Sequence, residues 1–481
     1  MKNKNGKFLY SDLADQIQAR IESGGFKISE KLPSLRALCQ STGYSMTTVF
    51  QAYVELEKRG VVESRDRSGY FIKPRLKRLK DRAQMTREEM VPRKINLDDL
   101  IHQLTEDMGD PQILNLGGVM VAPEHLPVKR LHNQLKAIPQ DQIPRIIAGY
   151  AHPQGVTLLR HQISNLLFPI IPGVKIEDII ITNGCTEALS LSLKAVSKPG
   201  STIIVESPTD PWLRQTIKDS NMFTLEIPAN PETGMDLTAL EKIIHQEKIS
   251  ACIVNPNCQN PLGFIMPDAH KRKLAELCFQ KQIPIIENDV TGDLYFGETR
   301  PFPIKKWDHH NNVIYCSSFS KVLAPGLRIG WVIPGRFKQI VKRMKLNRSL
   351  ISPTLSQTLV ANYLKEGTYN RHLRQLRKKI KLQHTLCARA LNRYLPLNVR
   401  MSSPKGGLCI WIELPQGVEG RKVYYEAIKK GISILPGFLC TSFNTYDRFI
   451  RIGYGGVWND TMDNAIEKIG QIITTIGQEE T

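Results

Sequence analysis

Apolar positions along this chain of 481 residues fall into two rhythms. At the N-terminal end they recur at helical spacing. Leu13, Ile17 and Ile21 line one face of a helix over Leu9–Gly24, which Gly24-Gly25 ends. Pro33-Ser34 opens a short second helix through Gln40, with Leu35 and Leu38 inward. Ser45 is placed to cap a third helix that runs to Arg59 and stops at Gly60. Val61–Glu63 and Tyr70–Ile72 then alternate about Asp66-Arg67-Ser68-Gly69, the pattern of a hairpin.

From Gln112 the rhythm changes. Short apolar runs at Ile179–Ile181, Ile203–Val205, Ala251–Val254, Ile283–Ile286 and Val313–Cys316 are separated by helical segments such as Glu187–Ser197, Leu237–Gln246 and Asp268–Gln280. Runs apolar on both faces, with helical crossovers, predict a mostly parallel α/β sheet whose ligand sites lie beyond the strand ends. Between the two regions the sequence is charged and lacks a clean period. The chain therefore divides into an α+β unit over 1–75, a basic linker with some helical character over 76–111, and an α/β domain over 112–480. The large lobe of that domain is expected at about 150–335, and the small α+β lobe is the remainder.

Charge changes the picture at one end. Lys and Arg number 65 against 46 acidic residues, a formal net charge of +19. The first 94 residues hold twenty basic and eleven acidic side chains. Such an excess suits a polyanion partner, most simply nucleic acid, although a solvated surface with a charged linker accounts for it equally. No apolar stretch approaches the ~20 residues of a membrane span, and the N-terminal lysines are not followed by a signal-peptide core. Nine scattered cysteines, with no CxxC pair and no His cluster, argue against a metal site and suit a reducing cytoplasm.

Three helices followed by a hairpin form a winged helix-turn-helix pattern. In that arrangement the second helix of the pair enters the major groove and its N-terminal side chains reach base edges. Here those are Ser45, Thr47 and Thr48, while Arg36 and the wing residues Arg65 and Arg67 are candidates for phosphate contacts, with Ser34 and Gly69 as further DNA-binding candidates. The strings Lys31-Leu32-Pro33-Ser34-Leu35-Arg36, Ser45-Met46-Thr47-Thr48-Val49 and Ser68-Gly69-Tyr70 resemble the GntR-type DNA-binding domain. That resemblance implies a dimeric regulator on paired half-sites of double-stranded DNA.

In the α/β domain, Thr182-Asn183-Gly184-Cys185-Thr186-Glu187 joins a strand to a helix and offers an anion site. Gln259-Asn260-Pro261-Leu262-Gly263 presents an amide after another strand. Ser317-Ser318-Phe319-Ser320-Lys321, with Arg328 seven positions after the lysine, has the chemistry of a Schiff base beside a phosphate. Together these loops resemble the fold type I aminotransferases that use pyridoxal 5'-phosphate. The resemblance implies that Lys321 carries the Schiff base, that Ser318, Ser320 and Arg328 hold the phosphate with Gly184, Cys185 and Thr186, and that Asn260 bonds the ring hydroxyl. It assigns Arg451 to a substrate carboxylate and Tyr150 to a substrate-side or cross-subunit position.

The pattern breaks at Ile286-Glu287-Asn288-Asp289-Val290-Thr291. Family spacing puts Asn288 where an Asp supports the ring nitrogen and Thr291 where a Tyr stands; Asp289, one position on, should point the other way. Asp210 occupies a position where a ring-stacking aromatic is usual, with Trp212 nearby. A neutral amide does not favour the protonated ring that serves as electron sink, so poor turnover is expected.

A GntR-type module fused to an aminotransferase-like domain resembles the MocR-type regulators, as does the basic stretch Tyr369–Arg377, which is either a DNA contact or a solvated helix face. That resemblance implies a head-to-tail homodimer that senses a small amine or amino acid by aldimine exchange at Lys321. A working aminotransferase with an appended DNA-binding module is the alternative.

Overall fold

The computed structural model describes residues 8–22, 31–59, 61–65, 68–72, 76–79, 90–95, 100–107 and 109–479. Helices span Leu9–Glu22, Leu35–Thr42 and Met46–Lys58, followed by the antiparallel strands Val62–Arg65 and Gly69–Ile72. Ser34 and Ser45 cap the second and third helices, accepting from the backbone of Ala37 and Thr48. The third helix sends Val49, Ala52, Tyr53 and Leu56 inward onto Leu13, Ala14, Leu32, Val61, Val62 and Ile72. This small core is separate from that of the rest of the chain.

The large lobe is built on a mixed sheet. Among the described residues its strands run in the order Arg93–Lys94, Phe223–Asn230, Thr202–Ser207, Ile249–Val254, Ile285–Asn288, Val313–Ser318, Ile329–Ile333, Ile180–Asn183. The five strands from Phe223–Asn230 to Val313–Ser318 are parallel, and Ile329–Ile333 runs antiparallel between two neighbours. Helices Gly184–Val196, Leu237–Gln246 and Asp268–Gln280 fall in the predicted segments. A second sheet in the small lobe joins Leu435–Pro436, Phe449–Gly453, Cys409–Glu413, Arg400–Met401 and Lys77–Arg78.

That last strand corrects the expected linker over 76–111. Lys77–Arg78 pairs in parallel with Arg400–Met401, and Arg93–Lys94 adds an edge strand to the large sheet. Helix Leu100–Asp107 buries Leu100, Ile101 and Leu104, and the Asp107 carboxylate accepts from Tyr424 and Ser433, each at 2.9 Å. Leu76, Leu79 and Ile95 join the main core. A few anchoring apolar side chains dock this stretch; the charged residues between them hid the pattern.

Candidate functional site

Strand ends of the large sheet bring the predicted loops together. Lys321 leaves the end of Val313–Ser318, and its Nζ donates to the Val119 carbonyl at 2.6 Å. Burial lowers its pKa, the Asp210 carboxylate opposes that shift, and Arg451 adds to it. A lysine more easily found as the free amine is a better nucleophile.

Beside it lies an oxyanion cradle. Strand Ile180–Asn183 turns at Gly184, with φ +78°, into the helix Gly184–Val196. A Cβ at Gly184 would stand 2.4 Å from Arg328 Nη2, so only glycine lets the guanidinium approach the helix start. Arg328, itself left-handed at φ +53°, donates to Ser320 Oγ at 3.3 Å and to the Asn183 carbonyl at 3.2 Å. Ser318 Oγ accepts from the Ser320 backbone at 3.0 Å. Asn183, Thr186 and Arg328 line one cavity of about 580 Å³, and the buried Asn183 Oδ1 has no hydrogen-bond partner. A helix N-terminus, a guanidinium and a hydroxyl converging on one point suit a phosphate.

The strand end below is different. Asn288 Oδ1 accepts from the Cys185 thiol and from the Val290 backbone, each at 3.4 Å. Burial pushes the Cys185 pKa well up, which keeps the thiol a neutral donor. Asp289 faces away and accepts from Arg300 at 2.6 Å, Tyr315 at 2.8 Å and Asn257 at 2.9 Å. Thr291, expected on the cofactor side, instead donates to the carbonyls of Asn257 and Cys258 at 3.2 and 3.0 Å. Its short hydroxyl satisfies the buried loop rather than reaching outward.

Asp210, half-buried, caps helix Pro211–Lys218 through Trp212 N at 2.8 Å, and its other oxygen accepts from Asn260 Nδ2. Asn260 Oδ1 accepts from Arg451 Nη1 at 2.7 Å, and Arg451 Nη2 donates to the Gly117 carbonyl at 2.6 Å. The amide assigned to a ring hydroxyl is thus engaged by a carboxylate. Arg451 is wholly buried, with Nε left unpaired. Tyr150 is 82% exposed and stands outside this cluster. The segment Gly117–Val119 was missed in the sequence. Its double glycine is the available signal, because a Cβ at Gly117 would meet Ile434 C at 2.9 Å.

In the N-terminal unit Arg36 is exposed and has no acidic partner among the described residues. Ser34 is occupied as a helix cap. Ser45 and Thr48 bond each other, Oγ to Oγ1 at 2.9 Å, while Thr47 is exposed and makes no side-chain hydrogen bond among the described residues. Met46 and Phe50, unforeseen, flank it at 45% and 47% exposure. Arg65 ends the first wing strand opposite Gly69, whose φ is +99°; Arg67 lies outside the described residues.

The family model for gntR-family bacterial regulatory proteins matches residues 9–72, and that for class I and II aminotransferases matches 122–469. The chain is 36% identical to the uncharacterized HTH-type transcriptional regulator YjiR of Escherichia coli, over 96% of this chain and 98% of that one. A second E. coli regulator of the same kind, YdcR, is 32% identical over 96% and 98%. Among solved structures, α-aminoadipate aminotransferase LysN of Thermus thermophilus, complexed with N-(5'-phosphopyridoxyl)-L-leucine, superposes with a TM-score of 0.72. It is 26% identical, over 80% of this chain and 97% of LysN.

Proposed function

The chain belongs to the regulators that join a gntR-family DNA-binding domain to a class I and II aminotransferase domain, and from that premise we propose that it couples DNA binding to the sensing of a primary amine or amino acid at Lys321. The cofactor of such a domain is pyridoxal 5'-phosphate, and the residues present fit it: the Gly184–Arg328 cradle admits a phosphate and Lys321 stands beside it. When bound, the cofactor supplies an aldehyde that condenses reversibly with amines. Half-buried Lys321 offers the amine it exchanges with. Arg451, with Nε unpaired, is the group placed to orient a carboxylate, and Asp210 holds Asn260 in line.

The observation that carries a sensor rather than an enzyme is Asn288. The anchoring residues are in place, yet the strand end offers an amide bonded to a thiol, and the neighbouring carboxylate of Asp289 is committed to Arg300 and Tyr315. Binding is thereby supported, and stabilisation of negative charge developing on the α-carbon of a bound amine is not. The alternative, a working aminotransferase, draws on the same anchoring set.

DNA is the partner of the N-terminal module. Thr47, Met46 and Phe50 form the exposed face offered to base edges and thymine methyl groups, and Arg36 meets phosphate. A head-to-tail homodimer gives Tyr150 a role, since one chain leaves both this ring and the Arg328 side of the cradle exposed. An effector shifts DNA binding only by its different affinity for two arrangements of that dimer. The test is a gel shift on the protein's upstream DNA with candidate amines. Affinity should change with the effector and fall with salt, log K against log salt having a slope of about −0.9 per phosphate contact. Arg36→Ala should reduce that slope by about one contact. A salt-insensitive complex contradicts the docking.

A further inference from the structure

Helix Val128–Lys136, the end of helix Thr354–Lys365 and the start of helix Tyr369–Tyr394 close around a cavity of about 190 Å³. It shares no lining residue with the cradle at Arg328. Its wall carries Lys129, Arg130, Arg371 and Lys379, and no carboxylate. Among the described residues, Lys129, Arg130 and Arg371 have no acidic partner, and Lys379 reaches a backbone carbonyl, that of Glu124, at 3.3 Å.

The floor is polar. His125 is 8% exposed, and neither ring nitrogen makes a well-aligned hydrogen bond. The buried Tyr363 hydroxyl and Thr368 Oγ1 lie beside it, within reach of each other. Four cations gathered in a wall without a carboxylate repel one another, and an anion seated among them relieves that repulsion and accepts from their N–H groups. The volume lies below the roughly 300–1,000 Å³ of pockets for larger organic ligands. From these features we infer that the cavity binds a small oxyanion, a phosphate group, at a site distinct from the cofactor cradle. It adjoins the lysine loop: the His372 ring contacts the Val322 carbonyl at 2.6 Å, one residue from Lys321.

The inference stands apart from the sensor reading, since failure of amine sensing leaves it untouched. It is tested on full-length protein saturated with pyridoxal 5'-phosphate and freed of excess, so that the cradle is filled. Inorganic phosphate is titrated by calorimetry, with a short non-operator duplex as the second arm. The expected result is one phosphate per chain, with binding weakened at least tenfold by Arg130→Ala and by Arg371→Ala. Both side chains are exposed, so thermal melting and the cofactor's visible band should stay unchanged. The inference is overturned if phosphate does not bind, or if both variants bind it as the parent does. It is equally overturned if the variants alter only duplex affinity or only self-association, which would make the patch a DNA or subunit contact.

Discussion

On the side of Lys321 that faces helix Gly184–Val196, the groups a phosphate needs are assembled: a glycine turn, an arginine in a left-handed conformation, and hydroxyls at Ser318 and Ser320. On the side formed by the end of strand Ile285–Asn288, the carboxylate that would hold a ring nitrogen protonated is replaced by an amide. Asp210, moreover, is drawn into a chain running through Asn260 and Arg451 to Gly117. On the proposed reading, one side carries the anchoring groups and the other would lack the electron sink. Binding and turnover would then rest on different residues, so that one could be kept without the other.

Four substitutions probe that contrast. Lys321→Ala should abolish the visible absorbance of the cofactor-loaded protein while leaving melting nearly unchanged, because Lys321 makes its hydrogen bond to a single carbonyl. Retention of the band would remove the lysine from the anchoring side. Next in size is the scaffold behind Asp210. Glu226 accepts from Arg214, Ser207, Thr441 and Ser442, and the Arg214–Glu226 pair is 1% exposed on both sides. Glu226→Gln should cost about 3–5 kcal/mol in a denaturation experiment, since it leaves a buried guanidinium uncompensated.

Asn288→Asp sharpens the comparison directly. It places a carboxylate beside the cofactor side of the sheet, and transamination with an amino acid should rise at least tenfold, about 1.4 kcal/mol in barrier. The last test is one of pH. Glu206 is buried beneath the turn leading to Asp210; burial pushes its pKa up to about 8, against the opposing pull of Asn255 N–H. Its unfolded value is about 4.3. The unfolded chain therefore loses this proton first, and stability falls as pH rises from about 4.3 towards 8, by at most about 1.4 kcal/mol per pH unit. Glu206→Gln should flatten that slope in pH-dependent melting; an unchanged slope would show that Glu206 is already ionised in the folded chain.

Continuous apolar runs made the central strands legible, because a strand buried on both faces leaves no room for polar alternation. Phe223–Asn230, with Glu226 and Pro228 inside it, escaped for the same reason: its buried glutamate is satisfied by partners distant in sequence. The capping serines at 34 and 45 marked two helix starts correctly, and both side chains stay exposed while accepting their cap bonds. The Lys321 and Arg328 loops were readable from local spacing. The Asp210–Asn260–Arg451 chain was not, since it joins three segments 50 to 191 residues apart.

The most direct measurement follows oxo-acid release and operator affinity in the same samples of cofactor-saturated protein across a panel of amines and amino acids. A sensor predicts that at least one compound shifts operator affinity by about 5–150-fold while no oxo acid accumulates. Oxo-acid release at an ordinary enzymatic rate, about 1–10³ per second, with operator affinity unmoved, would contradict it.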